Sequence, residues 1–149
     1  MNNLDLSHLK LKTFSEQDAL DYCLLNNVNP DNIKELYLFN NELTDISGIK
    51  LFKNTEYLDI KNNQLTDISV LKDLNKLEIL ILNNNKLTDV SVIEYLNKLR
   101  YLDVNKLRLE SNQIQYIKSL KNLNILYCVE GFKNISVLKQ LNRNIEIIK

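Results

Sequence analysis

Glycine and proline are scarce in this chain of 149 residues, which contains two glycines and one proline. Flexible linkers and domain boundaries are usually rich in these residues, so we expect one domain spanning residues 1–149. Tryptophan is absent, and His8 is the single histidine. A lone histidine without an accompanying nucleophile motif is typical of a surface or cap residue rather than a general base.

The chain also lacks the features of a disulfide-bonded or membrane-inserted protein. Cys23 and Cys128 lie far apart and follow no metal-ligand spacing, so we expect two buried, reduced thiols. No apolar stretch approaches the roughly 20 residues that span a bilayer. Residues 1–5 show no basic start followed by an apolar run, so no secretory signal is predicted. These absences predict a cytoplasmic protein that makes no membrane contact.

The charge is balanced overall but divided along the chain. The formal net charge is +0. Residues 1–97 hold nine Lys/Arg and fifteen Asp/Glu, a balance of −6, whereas residues 98–149 hold ten Lys/Arg and four Asp/Glu, a balance of +6. Such an asymmetry either orients a charged partner or is a chance drift of surface charge, and the sequence leaves both interpretations open.

Internal repetition is the clearest feature that the chain does have. Residues 32–53, 54–75 and 76–97 are three successive copies of one 22-residue pattern. Asn41, Asn63 and Asn85 fall at the same point of each copy. The apolar positions recur in each copy at Leu36, Leu58 and Leu80; at Leu38, Ile60 and Leu82; at Leu43, Leu65 and Leu87; and at Ile46, Ile68 and Val90. Self-similarity at a fixed period predicts a stacked-repeat architecture.

The pattern resembles the leucine-rich-repeat family, whose core is L-x-x-L-x-L-x-x-N-x-L. Its L-T-D-[IV]-S continuation and its 22-residue period are similar to the internalin-like class. The resemblance covers residues 32–97 well and the rest of the chain less well. It implies a right-handed α/β solenoid with a curved parallel β-sheet, and a function in protein recognition without catalysis.

The residue types at each position agree with this fold. In L-x-L the two apolar side chains point to one side of a strand and the middle residue points to the other. Stacked coils bury the apolar sides between neighbours. The recurring asparagine lies where the chain turns away from the strand, where its amide can bond backbone groups of adjacent coils. We therefore interpret the repeated positions as structural.

The segments on either side of residues 32–97 depart from the pattern. Within residues 1–31, Ser15 to Asp18 has the form of a capping box, and we predict a helix over residues 15–27 that caps the solenoid. Leucines 4, 6, 9 and 11 fit either a strand or a degenerate coil. Residues 98–149 hold irregular repeats and a C-terminal cap.

The asparagine after Asn85 at a suitable position is Asn112, a step of 27 residues. A five-residue insertion would explain this step, and two strand frames remain open. One frame uses Leu102 and Val104, and the other uses Leu107 and Leu109. Further on, Leu126 and Cys128 fit strand positions with Gly131 near the asparagine position, and Phe132, Ile135, Leu138 and Leu141 continue the apolar spacing. Residues 145–148 fit a last strand or closing turn.

No catalytic constellation is visible. The two isolated glycines form no phosphate-binding loop. Asp45, Asp67 and Asp89 recur once per copy, but a hard cation needs roughly six to eight converging oxygens, so turn capping is the simpler interpretation. We expect no enzyme activity, no cofactor, no metal and no small-molecule substrate.

The residues between the buried leucines are the candidate site, because they face away from the core on the concave side. Exposed aromatic and aliphatic clusters are typical of interaction surfaces, although these side chains could instead pack against one another. The candidate partner-binding residues are Tyr37, Phe39, Tyr57, Asp59, Lys61, Ile79, Ile81, Asn83, Tyr101, Arg108 and Tyr127. The rows continue with Tyr101 and Asp103 in the first strand frame, or with Lys106 and Arg108 in the second.

We expect a protein that is monomeric when free and that blocks or adapts a partner protein. The alternative is an inhibitor of a bacterial nucleoprotein effector, comparable to an anti-CRISPR protein, or a toxin-immunity protein. In that case the basic part of the chain, residues 98–149, would lie near nucleic acid.

Overall fold

The computed structural model describes residues 2–141 and 144–149. Its main element is a parallel sheet of seven strands in which the order along the chain is also the order in space. Successive parallel neighbours require each connection to pass behind the sheet, so the chain winds as a solenoid. The strands are β1 (Asn3–Asp5), β2 (Glu35–Tyr37), β3 (Tyr57–Asp59), β4 (Ile79–Ile81), β5 (Tyr101–Asp103), β6 (Ile125–Tyr127) and β7 (Glu146–Ile148).

The middle residue of each strand points into the core. Leu36 pairs with Leu58, Leu58 with Leu80, and Leu80 with Leu102, and all four are fully buried. Every apolar position of the 22-residue pattern is buried as well. Because neighbouring coils supply the same residue at the same depth, the side chains stack in columns and form one continuous core. The predicted register of the regular repeats is confirmed.

The recurring asparagines link neighbouring coils through their side-chain amides. The Nδ2 of Asn63 donates to the carbonyl oxygens of Ile60 and Leu38, both at 3.0 Å, and its Oδ1 accepts from the backbone N–H of Leu43 at 3.0 Å. The asparagines one copy earlier and one copy later make equivalent bonds. This asparagine ladder satisfies backbone groups that face the core and have no other partner in the coil. The predicted structural role is confirmed.

Short 3₁₀ helices form the side of each regular coil that lies opposite the sheet. They span Ser47–Leu51, Ser69–Asp73 and Ser91–Tyr95. Asp45, Asp67 and Asp89 each accept a hydrogen bond from the backbone N–H two residues later, at 2.7–2.8 Å. These carboxylates therefore cap turns, as predicted.

The N-terminal end is covered by helix α1 (Glu16–Leu25). Ser15 caps it in a capping box, in which Ser15 Oγ accepts from the Asp18 backbone N–H and Asp18 accepts from that of Ser15. The helix packs on the first 3₁₀ helix at Gly48, where an added Cβ would lie 2.5 Å from the Ser15 carbonyl oxygen and 2.8 Å from Ala19 Cβ. The next two copies have valine at this position, so the glycine marks where the cap approaches the coil.

The first strand shows that the leucines before α1 form a degenerate coil. Leu4 and Leu6 are buried beside the first regular repeat, whereas Leu9 is exposed. The N-terminal cap therefore consists of a degenerate coil that contains strand β1, followed by helix α1.

The irregular region begins after β5, not before it. Leu102 and Val104 are buried in register with the preceding repeat, so the first of the two strand frames is correct and the second is wrong. Leu107, also buried, occupies the asparagine-ladder position 22 residues after Asn85. Asn112 is exposed in a 3₁₀ helix, Ser111–Gln113, and takes no part in the ladder.

The spacing between strands shows the size of the irregularity. Leu102 pairs with Leu126, so the coil after β5 is 24 residues long. Its outer side carries a second helix, α2 (Ile114–Ser119), in place of the 3₁₀ helix of the regular coils. The predicted five-residue insertion is therefore wrong. The coil is two residues longer than the regular 22-residue coils, and a helical turn accommodates them.

The last coil contains a 3₁₀ helix at Ile135–Gln140 and ends in β7. Phe132, Leu138 and Leu141 are buried as predicted, but Ile135 is exposed, and Val137 fills the core in its place. Both cysteines are buried and free, as predicted. Within residues 2–141 and 144–149, each helix is too short or too polar to cross a bilayer.

Candidate functional site

The open face is the side of the sheet turned away from the core, and its side chains form straight rows across the strands. In the first row, Glu35 pairs with Tyr57, Tyr57 with Ile79 and Ile79 with Tyr101. In the second row, two positions along each strand, the residues are Tyr37, Asp59, Ile81, Asp103 and Tyr127. Neighbouring members of a row are about 5 Å apart. The predicted rows are therefore present, and they align side chains from successive coils.

An aromatic cluster lies at the N-terminal half of the open face. The ring centroids of Tyr37 and Tyr57 are 5.2 Å apart, and those of Tyr37 and Phe39 are 6.3 Å apart in an edge-on arrangement. His8 contacts Phe39 edge-on at 5.2 Å. The tyrosines and Phe39 are only partly exposed. The rings therefore pack against one another and also present a shared surface to solvent.

Tyr37, Tyr57 and Tyr101 of the open face stay protonated at neutral pH. Burial, followed by a hydrogen bond of 2.8 Å from its hydroxyl to Glu35 Oε2, raises the pKa of Tyr37 to about 12. Burial, reinforced by the nearby carboxylates of Asp59 and Asp103 respectively, also raises the pKa of Tyr57 and of Tyr101. Each ring thus combines an apolar body with a neutral hydroxyl, which suits a surface that contacts another protein.

The candidate charged residues of the open face are tied to each other. Asp59 is 2% exposed, and Lys61 Nζ lies 2.8 Å from its Oδ2. The same ammonium lies 4.6 Å from the centroid of Phe39. A partner on the open face would therefore contact the Lys61 ammonium rather than the Asp59 carboxylate itself. Ile79, Ile81 and Asn83 are partly exposed beside them on β4 and just after it.

A row of residues with left-handed backbone borders the open face where the strands end. His8, Asn40, Asn62, Asn84, Lys106 and Glu130 have φ between 52° and 59°. Asparagine tolerates this conformation better than most residues. Asn62 Nδ2 donates to Asn40 Oδ1 at 2.6 Å, and Asn84 Nδ2 donates to Asn62 Oδ1 at 2.8 Å. This second set of asparagines stiffens the border of the candidate surface.

Arg108 does not belong to the rows of the open face. It lies two residues beyond Lys106, on the exposed turn that leaves the sheet. Arg108 lies in a row only in the second strand frame, which uses Leu107 and Leu109, and the register of β5 excludes that frame. Tyr101 and Tyr127, by contrast, lie in the rows as predicted.

Asp103 extends the second row in the first strand frame, which the register of β5 supports, whereas Asn105 is a residue of the open face that was not predicted. Asp103 is only 9% exposed on β5, and Asn105 follows it. The signal was present in the sequence, because residues 101–103 repeat residues 57–59, Tyr-Leu-Asp, after two periods. In the part of the chain that the structure describes, no three His, Cys, Asp or Glu side chains are grouped to hold a metal ion.

The stacked coils, the asparagine ladder and the single parallel sheet match a known family. The family model described as Leucine Rich repeats (2 copies) matches residues 31–73 and 56–95. An internalin (inlF) from Listeria monocytogenes has a similar solved structure, with 27% identity and a TM-score of 0.75 over 92% of this chain. In its repeat pattern and its fold this chain is similar to the internalin-like leucine-rich-repeat proteins.

Two further solved structures share this fold. A leucine-rich-repeat protein from Leptospira interrogans is 24% identical over 98% of the chain, with a TM-score of 0.66. An internalin C2 from Listeria monocytogenes is 19% identical over 99% of the chain and 80% of its own length, with a TM-score of 0.57. The chain spans 38% of the inlF structure and 42% of the Leptospira structure. No curated protein matches the chain.

Proposed function

We propose that this leucine-rich-repeat protein recognises another protein through the open face of its sheet and performs no catalysis itself. The fold is typical of protein-binding modules. The observation that carries the proposal is the aromatic and aliphatic surface formed by Tyr37, Phe39, Tyr57, Ile79 and Ile81, which lie on three successive strands or at their ends.

The geometry of this surface favours tight binding. The strands are hydrogen-bonded to both neighbours, and the rings of Tyr37 and Tyr57 are held against each other. Side chains that are already ordered lose little conformational freedom when a partner binds. Large rings placed centrally in an interface can each contribute about 2 kcal/mol or more. A partner that covers the rings would therefore gain most of its affinity from a small area.

The test replaces Tyr37→Ala and Tyr57→Ala together. The partner is first captured from the source cells and identified by mass spectrometry, and its affinity for each variant is then measured by calorimetry. We expect the double variant to remain folded and to bind roughly 100-fold more weakly or worse, at 1.4 kcal/mol per tenfold.

The matched control is Lys72→Ala with Glu94→Ala, which alters equivalent positions of two neighbouring coils on the opposite side of the solenoid. Lys50 is unsuitable for the control because it forms an ion pair with Glu16 of the cap. If the control abolishes binding and the tyrosine pair does not, the partner binds elsewhere. Unfolding of the tyrosine pair would show that the rings serve the core instead.

Binding of this kind acts by occupying the partner's surface, so blocking or adapting the partner is the proposed outcome. The alternative, an inhibitor of a nucleoprotein effector or a toxin-immunity protein, is favoured by the +6 balance of residues 98–149. Lys106, Arg108, Lys118 and Lys121 are all exposed there.

Direct contact with nucleic acid has a separate test. These four cations are spread over a strand end, a turn, α2 and the following loop, so we expect the isolated protein to bind labelled RNA or DNA weakly. A tight mobility shift that falls steeply with salt, and that is lost when the four cations are neutralised, would favour the nucleic-acid alternative.

A further inference from the structure

Two strands of the open face carry the same Tyr-Leu-Asp triplet but differ at the residue two positions later. Residues 57–59 of β3 are followed by Lys61, and residues 101–103 of β5 are followed by Asn105. The triplets flank β4 symmetrically, because both aspartates pair with Ile81. The two sites thus differ chiefly in one functional group, an ammonium that is present beside the first aspartate and absent from the equivalent position beside the second.

The β3 site shows what such a carboxylate binds. Asp59 Oδ2 receives Lys61 Nζ at 2.8 Å, and Asp59 Oδ1 accepts from the Lys61 backbone N–H at 3.1 Å. The aromatic ring of Phe39 lies on another side of the ammonium. A buried carboxylate on this sheet is therefore completed by a cation that approaches from the solvent side and rests against an aromatic ring.

The β5 site lacks the bound ammonium that completes the β3 site. Asp103 Oδ1 accepts from the Asn105 backbone N–H at 2.8 Å, which reproduces the backbone bond of the first site. Within residues 2–141 and 144–149, none of the ion pairs includes Asp103. Burial raises the pKa of its carboxyl above the ordinary value. The charge of Lys61, whose ammonium is hydrogen-bonded to Asp59, offsets this rise only in part. A largely buried carboxylate that has no cation in direct contact is electrostatically unfavourable.

The neighbouring amides add to the shortage of donors. Asn83 Oδ1 and Asn105 Oδ1 are buried and accept no hydrogen bond from the described residues. Each follows the end of one of two adjacent strands, β4 and β5, by two residues, on the same face as Asp103, so three acceptor groups occupy one small area. Lysine and arginine side chains carry only donors, and their aliphatic stems pack well on apolar side chains. Ile81 and Tyr127, the neighbours of Asp103 in its row, offer such a surface.

We propose that Asp103, with the side-chain oxygens of Asn83 and Asn105, binds a lysine or arginine side chain of the partner protein. The cation takes the position that the Lys61 ammonium has beside Asp59, and its stem lies along Ile81 and Tyr127. The amides of Asn83 and Asn105 turn to accept from the incoming donor. The proposal rests on the proposed function, since it names the chemistry that the partner presents to the open face.

The test uses small probes and therefore does not require the partner. Lysine and arginine, each blocked as the N-acetyl and N-methylamide derivative, are titrated into ¹⁵N-labelled protein and followed by NMR. We expect saturable shifts at Asp103 and at the side-chain amides of Asn83 and Asn105, with a dissociation constant of about 10 mM. The norleucine derivative, which keeps the stem and lacks the charge, should cause no saturable shift there.

Two variants and one control complete the experiment. Asp103→Asn should weaken binding of both cationic probes at least about tenfold. Asn105→Lys should abolish binding of both cationic probes, because the new lysine places its own ammonium beside Asp103, as Lys61 does beside Asp59. Asp89→Asn removes a carboxylate from a turn outside the open face and should leave binding unchanged.

Three results would overturn the proposal: no saturable shift with either cation, equal binding of norleucine, or unchanged binding by a folded Asp103→Asn variant. Should Asp103→Asn fail to fold, retained binding by Asn105→Lys would overturn it as well. None of these results bears on the tyrosine pair, whose effect on the whole partner tests the proposed function independently.

Discussion

The regular coils and the coil that follows β5 solve the same packing problem in different ways. In the regular coils, Asn41, Asn63 and Asn85 tie each turn to its neighbour through the asparagine ladder. In the next coil Leu107 takes the ladder position and is buried. Its backbone N–H bonds to Val104 at 3.3 Å, a bond within its own coil. Stacking therefore requires an aliphatic residue at the strand centres but tolerates the loss of the asparagine, provided that the turn finds other hydrogen bonds.

The two regions also differ in how they complete their charges. Asp59, within the regular coils, has a cation from its own strand. Asp103, in the first irregular coil, accepts a hydrogen bond from a backbone N–H but is in none of the ion pairs among the described residues, and the charge of Lys61 compensates its burial only in part. The carboxylate of Asp59 is thus paired within the regular coils, whereas the carboxylate of Asp103 in the irregular coil remains available to a cation of a partner. Sites that bind are often the places where a protein gives up some stability.

Replacing a strand-centre leucine in the regular coils should have the largest effect. Leu80 is fully buried between Leu58 and Leu102. Leu80→Asp places a charge without a partner between stacked coils, which costs several kcal/mol, roughly 4 or more. We expect the chain to unfold or to lose its C-terminal coils in a circular-dichroism melt. Ile147→Asp, in the last strand where the residue is only partly buried, should cost much less. An unchanged melt for Leu80→Asp would show that the register is wrong.

The ladder provides the next largest effect. Asn63→Ala removes the partners of three backbone groups, two carbonyls and one N–H. Buried polar groups left without partners cost about 1–3 kcal/mol each, so we expect a loss of about 3 kcal/mol in urea unfolding. Asn112→Ala should change stability by less than about 0.5 kcal/mol, because Asn112 is exposed and outside the ladder. Similar losses of stability for Asn63→Ala and Asn112→Ala would show that Asn112 belongs to the ladder and that the frame using Leu107 and Leu109 is correct.

These contrasts also show what could be read from the sequence. The register of the regular coils was predictable because a 22-residue period repeats three times and places every leucine at an equal depth. The position of the cap was predictable from the pattern at Ser15 and Asp18, although Gly48 marks its docking site just as clearly. The coil after β5 was not predictable in detail, since Leu107 and Asn112 compete for the same position. Only the backbone hydrogen bonds decide between them.

The candidate site was predictable in part, and for a related reason. The rows containing Tyr37, Tyr57 and Ile81 follow from strand alternation alone. Whether a carboxylate in such a row is buried or paired depends on its neighbours across the sheet. Asp59 was therefore named without its dependence on Lys61, and Asp103 was named only in the first of the two strand frames.

The smallest effects should come from the two aspartates, and they should have opposite signs. Asp59→Asn leaves the Lys61 ammonium without its carboxylate. Lys61 is one-third exposed and stays partly hydrated, so we expect a loss of about 1–2 kcal/mol rather than the full cost of a buried unpaired charge. Asp103→Asn removes a buried charge that is in no ion pair among the described residues and that Lys61 compensates only in part, so at neutral pH we expect a gain of up to about 1 kcal/mol.

The pH dependence of the Asp103→Asn gain tests its electrostatic origin. The pKa of Asp103 is raised above 3.8 in the folded protein, chiefly by burial. Between 3.8 and that raised value the folded state binds more protons than the unfolded state, so the contribution of Asp103 to stability falls as the pH rises. The gain from Asp103→Asn should therefore be greatest at neutral pH and should disappear as the pH falls below 3.8. Chemical unfolding of both proteins from pH 3 to pH 8 measures this, and a gain that is independent of pH would mean that packing, not charge, distinguishes β5 from β3.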